Sequence, residues 1–257
     1  MNFSHAITCP PSASYADGIT TAGLGAPDLA LALEQHAAYC AALEALGVRV
    51  EALPADPAHP DSCFVEDTAV VTANGAILAR PGAPSRAGEV TAMRSVLQRL
   101  CGEPAAITAP GTLDGGDICQ VGSHFLIGLS DRTNESGAEQ LSRWLHGLGY
   151  TAETISIRGN PLLLHLKSGI AWLGGDDLVV VEALATHPAL QRYRLLVVPD
   201  ADGYAANCVR VNDAVLMAAG YPELTARVEA LGYRVVTLEM SEFRKMDGGL
   251  SCLSVRI

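Results

Sequence analysis

The sequence predicts an α/β protein in which five ββαβ units close into a ring, a five-bladed α/β propeller forming a single domain over residues 1–257. Two observations predict it. The first is self-similarity: Glu44–Pro54, EALGVRVEALP, and Glu229–Glu239, EALGYRVVTLE, each run from a helix end through a glycine into a β-branched strand. His146–Ile157, HGLGYTAETISI, repeats the theme more loosely. A glycine there suits the left-handed position that ends a helix. The second is spacing. With units starting at Asp67, Asp117, His165, Asn207 and Cys252, the intervals are 50, 48, 42 and 45 residues, in the range of repeat architectures. An ordinary mixed α/β sheet is the alternative.

Each unit should open with a hairpin. Thr68–Arg80 turns at Asn74-Gly75, a pair expected to supply positive φ angles. Asp117–Ile127 turns at Gly122-Ser123, His165–Val181 around Gly174 to Asp177, and Asn207–Met217 at Asn212-Asp213. Helices follow where apolar residues fall at helical spacing: Leu29, Leu33 and Cys40; Ala138, Leu141, Leu145 and Leu148; Leu224, Val228 and Leu231. The last unit, from Gly248, has only one strand left before Ile257. Its missing parts lie at the other end: a strand around His5–Thr8, a helix after Asp28 and a strand from Val48. Completion by the N-terminus would close the ring and leave few exposed sheet edges.

Composition narrows the function classes. The chain has 28 acidic and 17 basic side chains, a net charge of −11, which argues against a nucleic-acid partner but suits a small cationic one. No apolar run reaches the roughly 20 residues of a membrane span, and MNFSHAITCPP lacks the pattern of a secretory signal. Seven cysteines without a CxxC pair fit a reduced cytoplasmic protein, and no Cys/His cluster has metal-ligand spacing.

A ring brings the unit starts together on its axis. Those positions hold Glu66, Asp67, Asp114, Asp117, His165, Asn207 and Cys252. Singly, each has a plainer reading. His165, within LLLHL, reads as a core histidine and Cys252 as a small buried hydrophobe; the Asp-Gly-Gly segments read as turns. Together they supply a nucleophile, an acid/base group and carboxylates for a cation.

Phe64-Val65-Glu66-Asp67, Thr112–Asp117 (TLDGGD), Gly128–Asn134 (GLSDRTN), Leu164–Lys167 (LHLK), Tyr204–Cys208 (YAANC) and Lys245–Cys252 (KMDGGLSC) occur in this order. The set resembles the dimethylarginine dimethylaminohydrolases, members of the guanidino-group-modifying (pentein) superfamily, from about Ala6 to the C-terminus. The resemblance implies the five-bladed propeller and hydrolysis of asymmetric dimethylarginine or monomethylarginine to citrulline and an amine, without a metal or cofactor. It makes Cys252 the nucleophile, His165 the general acid/base and Asp114 the acidic member of the catalytic set. It assigns Glu66 and Asp67 to the guanidinium, Asp61 to the ligand pocket, and Arg86 and Arg132 to the substrate carboxylate. The backbone carbonyls of Ile19 and Met246 would hold the α-ammonium group; Phe64 and Asp247 complete the implied substrate-binding set. The protein is expected as a monomer or homodimer with a small-molecule substrate.

Tyr15–Ala26, YADGITTAGLGA, is rich in small residues and is expected to be a lid. Two other functions are compatible with the ring: an arginine deiminase or amidinotransferase, generally longer chains, and a non-catalytic interaction module. The second has no need for Cys252, His165 and paired carboxylates on the axis.

Overall fold

The computed structural model describes residues 2–257. The chain starts with β1 (His5–Thr8), α1 (Leu29–Ala45) and β2 (Arg49–Ala52). It continues with β3 (Ala69–Thr72), β4 (Gly75–Leu78), α2 (Val90–Cys101) and β5 (Ala105–Ala106), then β6 (Ile118–Val121), β7 (His124–Leu129), α3 (Glu135–Gly147) and β8 (Thr151–Ser156). Next come β9 (Ile170–Gly174), β10 (Asp177–Val181), α4 (Glu182–Ala185) and β11 (Arg194–Val198). The last elements are β12 (Val209–Val211), β13 (Ala214–Ala218), α5 (Pro222–Ala230), β14 (Arg234–Leu238), α6 (Ser241–Arg244) and β15 (Val255–Arg256).

These strands form five three-stranded sheets of one design. In each, the first two strands pair antiparallel and the third lies parallel to the middle one, reached through a segment that contains a helix. The repeated ββαβ unit is therefore present. The fifth sheet joins the two ends of the chain: β15 pairs antiparallel with β1, Ile7 opposite Val255, and β1 pairs parallel with β2. The mixed pattern follows from chain length, since a tight turn reverses a strand whereas a parallel return needs a long crossover.

Local chemistry explains the turns. Gly75 has φ 151° and Gly122 φ 61°, while Asn212 takes φ 54° in the β12–β13 turn. The expected positive φ at Asn74 is corrected: Gly75 alone carries it, and the Asn74 N–H instead donates to Thr72 Oγ1 at 3.2 Å.

The buried stripe of α1 also differs from expectation. Its inward face is Ala32, Gln35, His36, Tyr39 and Leu43, whereas Leu33 is 40% exposed. Ala and Leu surround this helix, so hydrophobicity alone does not orient it. Polar anchors do: Tyr39 Oη lies 2.7 Å from Ser254 Oγ, and Gln35 donates to Ser241 Oγ and accepts from the Glu242 N–H. Asp28 caps the helix by accepting from the Ala30 and Leu31 N–H groups. Helix α2 was not among the expected helices, although Met93, Val96 and Leu97 form its buried stripe. No helix among the described residues is long and apolar enough to cross a membrane.

Ile7 is fully buried between the two ends of the chain, packed with Leu78, Met93 and Val255. Ile7→Ala should lower unfolding stability by roughly 2–5 kcal/mol, read from the midpoint of urea denaturation.

Candidate active site

Five short 3-10 turns lead into or flank the first strands of the five sheets: Val65–Thr68, Gly115–Asp117, Leu166–Ser168, Asp200–Ala206 and Ser251–Leu253. They carry or adjoin Asp67, Asp117, His165, Asn207 and Cys252, the residues chosen as unit starts. The first turn packs on the second and fifth, and the third on the second and fourth. Asn207 completes the circuit: its Oδ1 accepts the Ser251 N–H at 3.0 Å while its Nδ2 donates to the Lys167 carbonyl at 3.0 Å.

His165 is buried, and its Nε2 lies 3.0 Å from Asp114 Oδ2 and 3.9 Å from Asp67 Oδ1. Asp114 is itself oriented by the Gly82 N–H, which donates to Oδ1 at 2.8 Å. The backbone beside the imidazole is held by Asp117, which accepts from the Leu166 N–H at 2.9 Å and from Ser130 Oγ at 2.6 Å. Burial alone would lower the imidazole pKa, but Asp67, the Asp114 hydrogen bond and Asp117 push it up to about 9. At neutral pH this histidine is an acid.

Asp67 pairs with Arg86 Nη1 through Oδ2 at 2.6 Å and accepts the Gly116 N–H through Oδ1 at 2.8 Å. Burial opposes its ionisation, yet His165 and Arg86 together hold it down at about 2. Gly116 is required by this approach: a Cβ there would lie 2.8 Å from both Asp67 Oδ1 and His165 Nδ1. The TLDGGD motif is therefore more than a turn.

Cys252 Sγ receives the Gly249 N–H at 3.5 Å. Burial, then the charges of Glu66 and Asp67, push the thiol up to about 12. It is protonated at rest.

Cys252 and His165 line one pocket with Ile19, Asp61, Phe64, Asp67, Arg86, Arg132, Met246 and Asp247, so eight of the nine expected substrate-binding residues surround it. Asp114 stands just behind His165. The enclosed space is only about 30 Å³, because the segment after Tyr15 is tied across the mouth. Asp61 accepts the Ile19 N–H at 3.0 Å, and Asp247 accepts the Thr21 N–H and hydroxyl at 2.5 and 3.1 Å. Tyr15 is buried against Phe64 and Phe243, so the exposed part of the expected lid begins beyond it.

Two residues depart from expectation. Glu66 faces away from this pocket: Lys167 Nζ at 2.5 Å, Arg256 Nη2 at 3.0 Å and Ser251 Oγ at 2.7 Å claim its oxygens. Three donors on neighbouring inner strands and turns outcompete an open cavity. Arg86 is buried, with Glu89 on Nε and Nη2, Asp67 on Nη1 and the Phe64 carbonyl on Nη2. Only one Nη1 proton remains for a ligand. Arg132 has no side-chain hydrogen bond or ion pair among the described residues, which leaves its whole fork for an anion. Leu164 and Gly248 also line the pocket, and Glu89 holds its Arg86; these are not in the sequence-derived set. Leu164 and Gly248 sit inside quoted motifs, whereas nothing local marks Glu89.

Asp67, Asp114 and His165 bring possible ligand atoms within 4.8 Å of one another. Those carboxylates are already engaged by Arg86, Gly82, Gly116 and His165, and a protonated imidazole offers no lone pair.

The fold and this cluster of thiol, imidazole and carboxylates agree with the broader group that the family model describes: the arginine deiminase model matches residues 55–198. At closer range the chain belongs to the dimethylarginine dimethylaminohydrolase family. It is 43% identical to N(G),N(G)-dimethylarginine dimethylaminohydrolase of Pseudomonas aeruginosa over 255 residues, 99% of each chain. A crystal structure of a cysteine-to-serine variant of the Pseudomonas aeruginosa protein, complexed with citrulline, superposes with a TM-score of 0.97 at 42% identity, covering 100% of both chains. A histidine-to-glycine dimethylarginine dimethylaminohydrolase, as an adduct with S-methyl-L-thiocitrulline, gives 0.96 at 42% identity, covering 99% of this chain and 100% of that one.

The raised imidazole pKa makes stability depend on pH. Its contribution is full below the unfolded value of 6.5 and is lost as pH rises through about 9. Denaturant midpoints should therefore fall across that interval, and the fall should flatten in His165→Gln. In Asp114→Asn the imidazole should titrate at lower pH, as followed by NMR of its ring protons.

Proposed function

We propose that this protein hydrolyses N-methylated arginines, asymmetric dimethylarginine and monomethylarginine, to L-citrulline and the corresponding amine. The observation that carries the reading is one pocket lined by Cys252, His165 and an unpaired Arg132. The named relatives and their citrulline and thiocitrulline complexes support the substrate class. The five like sheets, joined through β1 and β15, support a closed five-bladed propeller acting as one catalytic domain.

The chemistry starts from a neutral thiol and a protonated imidazole. A guanidinium bound beside Cys252, with Asp67 and Asp61 on its sides, favours the thiolate by its charge, and the thiol proton leaves to solvent because His165 already carries its own. The thiolate attacks the guanidinium carbon and gives a tetrahedral adduct. His165 passes its proton to the methylated nitrogen, and the C–N bond breaks with release of the amine. The S-alkylthiouronium left on Cys252 is then attacked by water, which His165, now neutral, deprotonates. Cleavage of the C–S bond yields citrulline and the thiolate. Asp114 holds the imidazole and offsets its charge throughout.

At the other end, Arg132 and the free proton of Arg86 donate to the substrate carboxylate, and the carbonyls of Ile19 and Met246 accept from the ammonium group. The narrow pocket supports a lid: the segment tied by Asp61 and Asp247 must release to admit an amino acid. All these groups come from one chain, which suits a monomer and also allows a homodimer. Seven free cysteines suit a reducing, cytoplasmic setting.

Cys252→Ser should reduce turnover of dimethylarginine by roughly 10³-fold or more while the fold persists. Mass spectrometry of wild-type protein quenched during turnover should find an adduct on Cys252. Arg132→Met should raise KM by roughly 10- to 100-fold with a smaller change in kcat. Arginine consumed faster than either methylated form would replace this reading with a deiminase.

A further inference from the structure

Behind the thiol lies a second cavity, of about 150 Å³, lined by residues of all five first strands: β3, β6, β9, β12 and β15. Its charge is opposite to that of the molecule. Lys167, Arg210 and Arg256 face it against the single carboxylate of Glu66, in a chain of net charge −11. Glu66 is already matched by Lys167 and Arg256. Arg210 has no carboxylate partner among the described residues. Only its Nε donates, to the Asn212 carbonyl at 3.2 Å, while its guanidinium lies over the Trp172 and Tyr233 rings at 5.9 and 6.0 Å. A half-buried guanidinium fixed between two rings, with both Nη groups unengaged, lacks acceptors that a polar ligand would supply.

We propose that this axial cavity is a second ligand site, taking a small oxyanion, carboxylate or phosphate, on Arg210, Lys167 and Arg256. Its size admits an anion of a few heavy atoms, and Gln120, Ser251 and Ser254 add polar groups to walls built mainly of apolar strand residues. The site is distinct from the pocket over Cys252, with which it shares no lining residue.

Its floor is nevertheless chain-adjacent to the reacting groups. Glu66 precedes Asp67, Lys167 lies two residues after His165, and Ser251 precedes Cys252, with Ser251 Oγ bonded to Glu66. The charges felt by the thiol are Glu66 and Asp67 on the negative side and Lys167 on the positive side, together with the Gly249 N–H. An anion on Lys167 cancels the one cation of that set and makes the thiolate harder to form. Occupancy then slows turnover without taking the substrate's place. The effect on rate rests on the proposed chemistry; the binding does not.

The test is titration with inorganic phosphate, and separately acetate, at constant ionic strength against chloride, following melting temperature and steady-state kinetics. At least one anion should raise the melting temperature saturably and lower kcat roughly threefold or more, with KM for dimethylarginine unchanged. The anion that does so identifies the ligand class. Arg210→Met should abolish both responses, with anion-free activity within about twofold of wild type; Gln120→Glu, which puts a permanent carboxylate in the cavity wall, should abolish both responses and itself lower the anion-free kcat. A melting response that survives in both variants would overturn the proposal. So would an anion that raises KM alone, which is competition at Arg132, or no response beyond chloride to either anion. Should dimethylarginine not be turned over at all, the melting arm still decides the binding.

Discussion

The ion pair between Asp67 and Arg86 is the constraint on which the rest of the site depends. Asp67 reaches Arg86 with one oxygen and Gly116 with the other, and the same carboxylate sits 3.9 Å from His165 Nε2. One side chain thereby joins the first 3-10 turn to the second and third. Buried charges are tolerated only when their partners are in place, so this pairing demands a defined register between units. Glu89, bidentate on Arg86, keeps that arginine from swinging toward solvent. Gly116 is the corresponding backbone concession, since any side chain there would strike Asp67 and His165.

The electrostatic result is a resting state in which the Cys252 thiol is not in its nucleophilic form while His165 carries its proton. Carboxylates raise the imidazole and thiol together, so His165 and Cys252 both keep their protons near neutral pH. That arrangement protects a cysteine from adventitious oxidation, because the thiolate is the reactive species.

Glu66 and Asp67 are consecutive, yet they line different cavities. Asp67 looks toward Cys252 and Arg132, whereas Glu66 sits with Lys167, Ser251 and Arg256 above the axial cavity. The Glu66 cluster forms the partition between two spaces of very different character. Hydrogen bonds from a surface segment to Asp61 and Asp247 border the front pocket, and first strands of the five sheets wall the rear cavity.

Much of this was legible in the chain. The repeat of helix end, glycine and strand, with hairpins at regular intervals, specified the ββαβ unit, because periodicity and turn chemistry are local properties. The same intervals single out Asp67, Asp117, His165, Asn207 and Cys252, which lie on or beside the five 3-10 turns. Resemblance then supplied roles that spacing could not. Legibility ended where several faces or partners compete. Alanine and leucine all round α1 left its orientation to Tyr39 and Gln35, whose partners lie over 200 residues away. Arg86 read as free for a substrate, but Glu89 and Asp67 occupy it; Glu66 read as a guanidinium ligand, but three donors from elsewhere in the ring turn it to the other side. The sequence by itself determined the repeating unit and the identities of the groups that meet, since those depend on short-range pattern. Only the tertiary structure decided which carboxylate faces which cavity and which arginine stays open, because ion pairs between distant residues are settled by how the five sheets pack together.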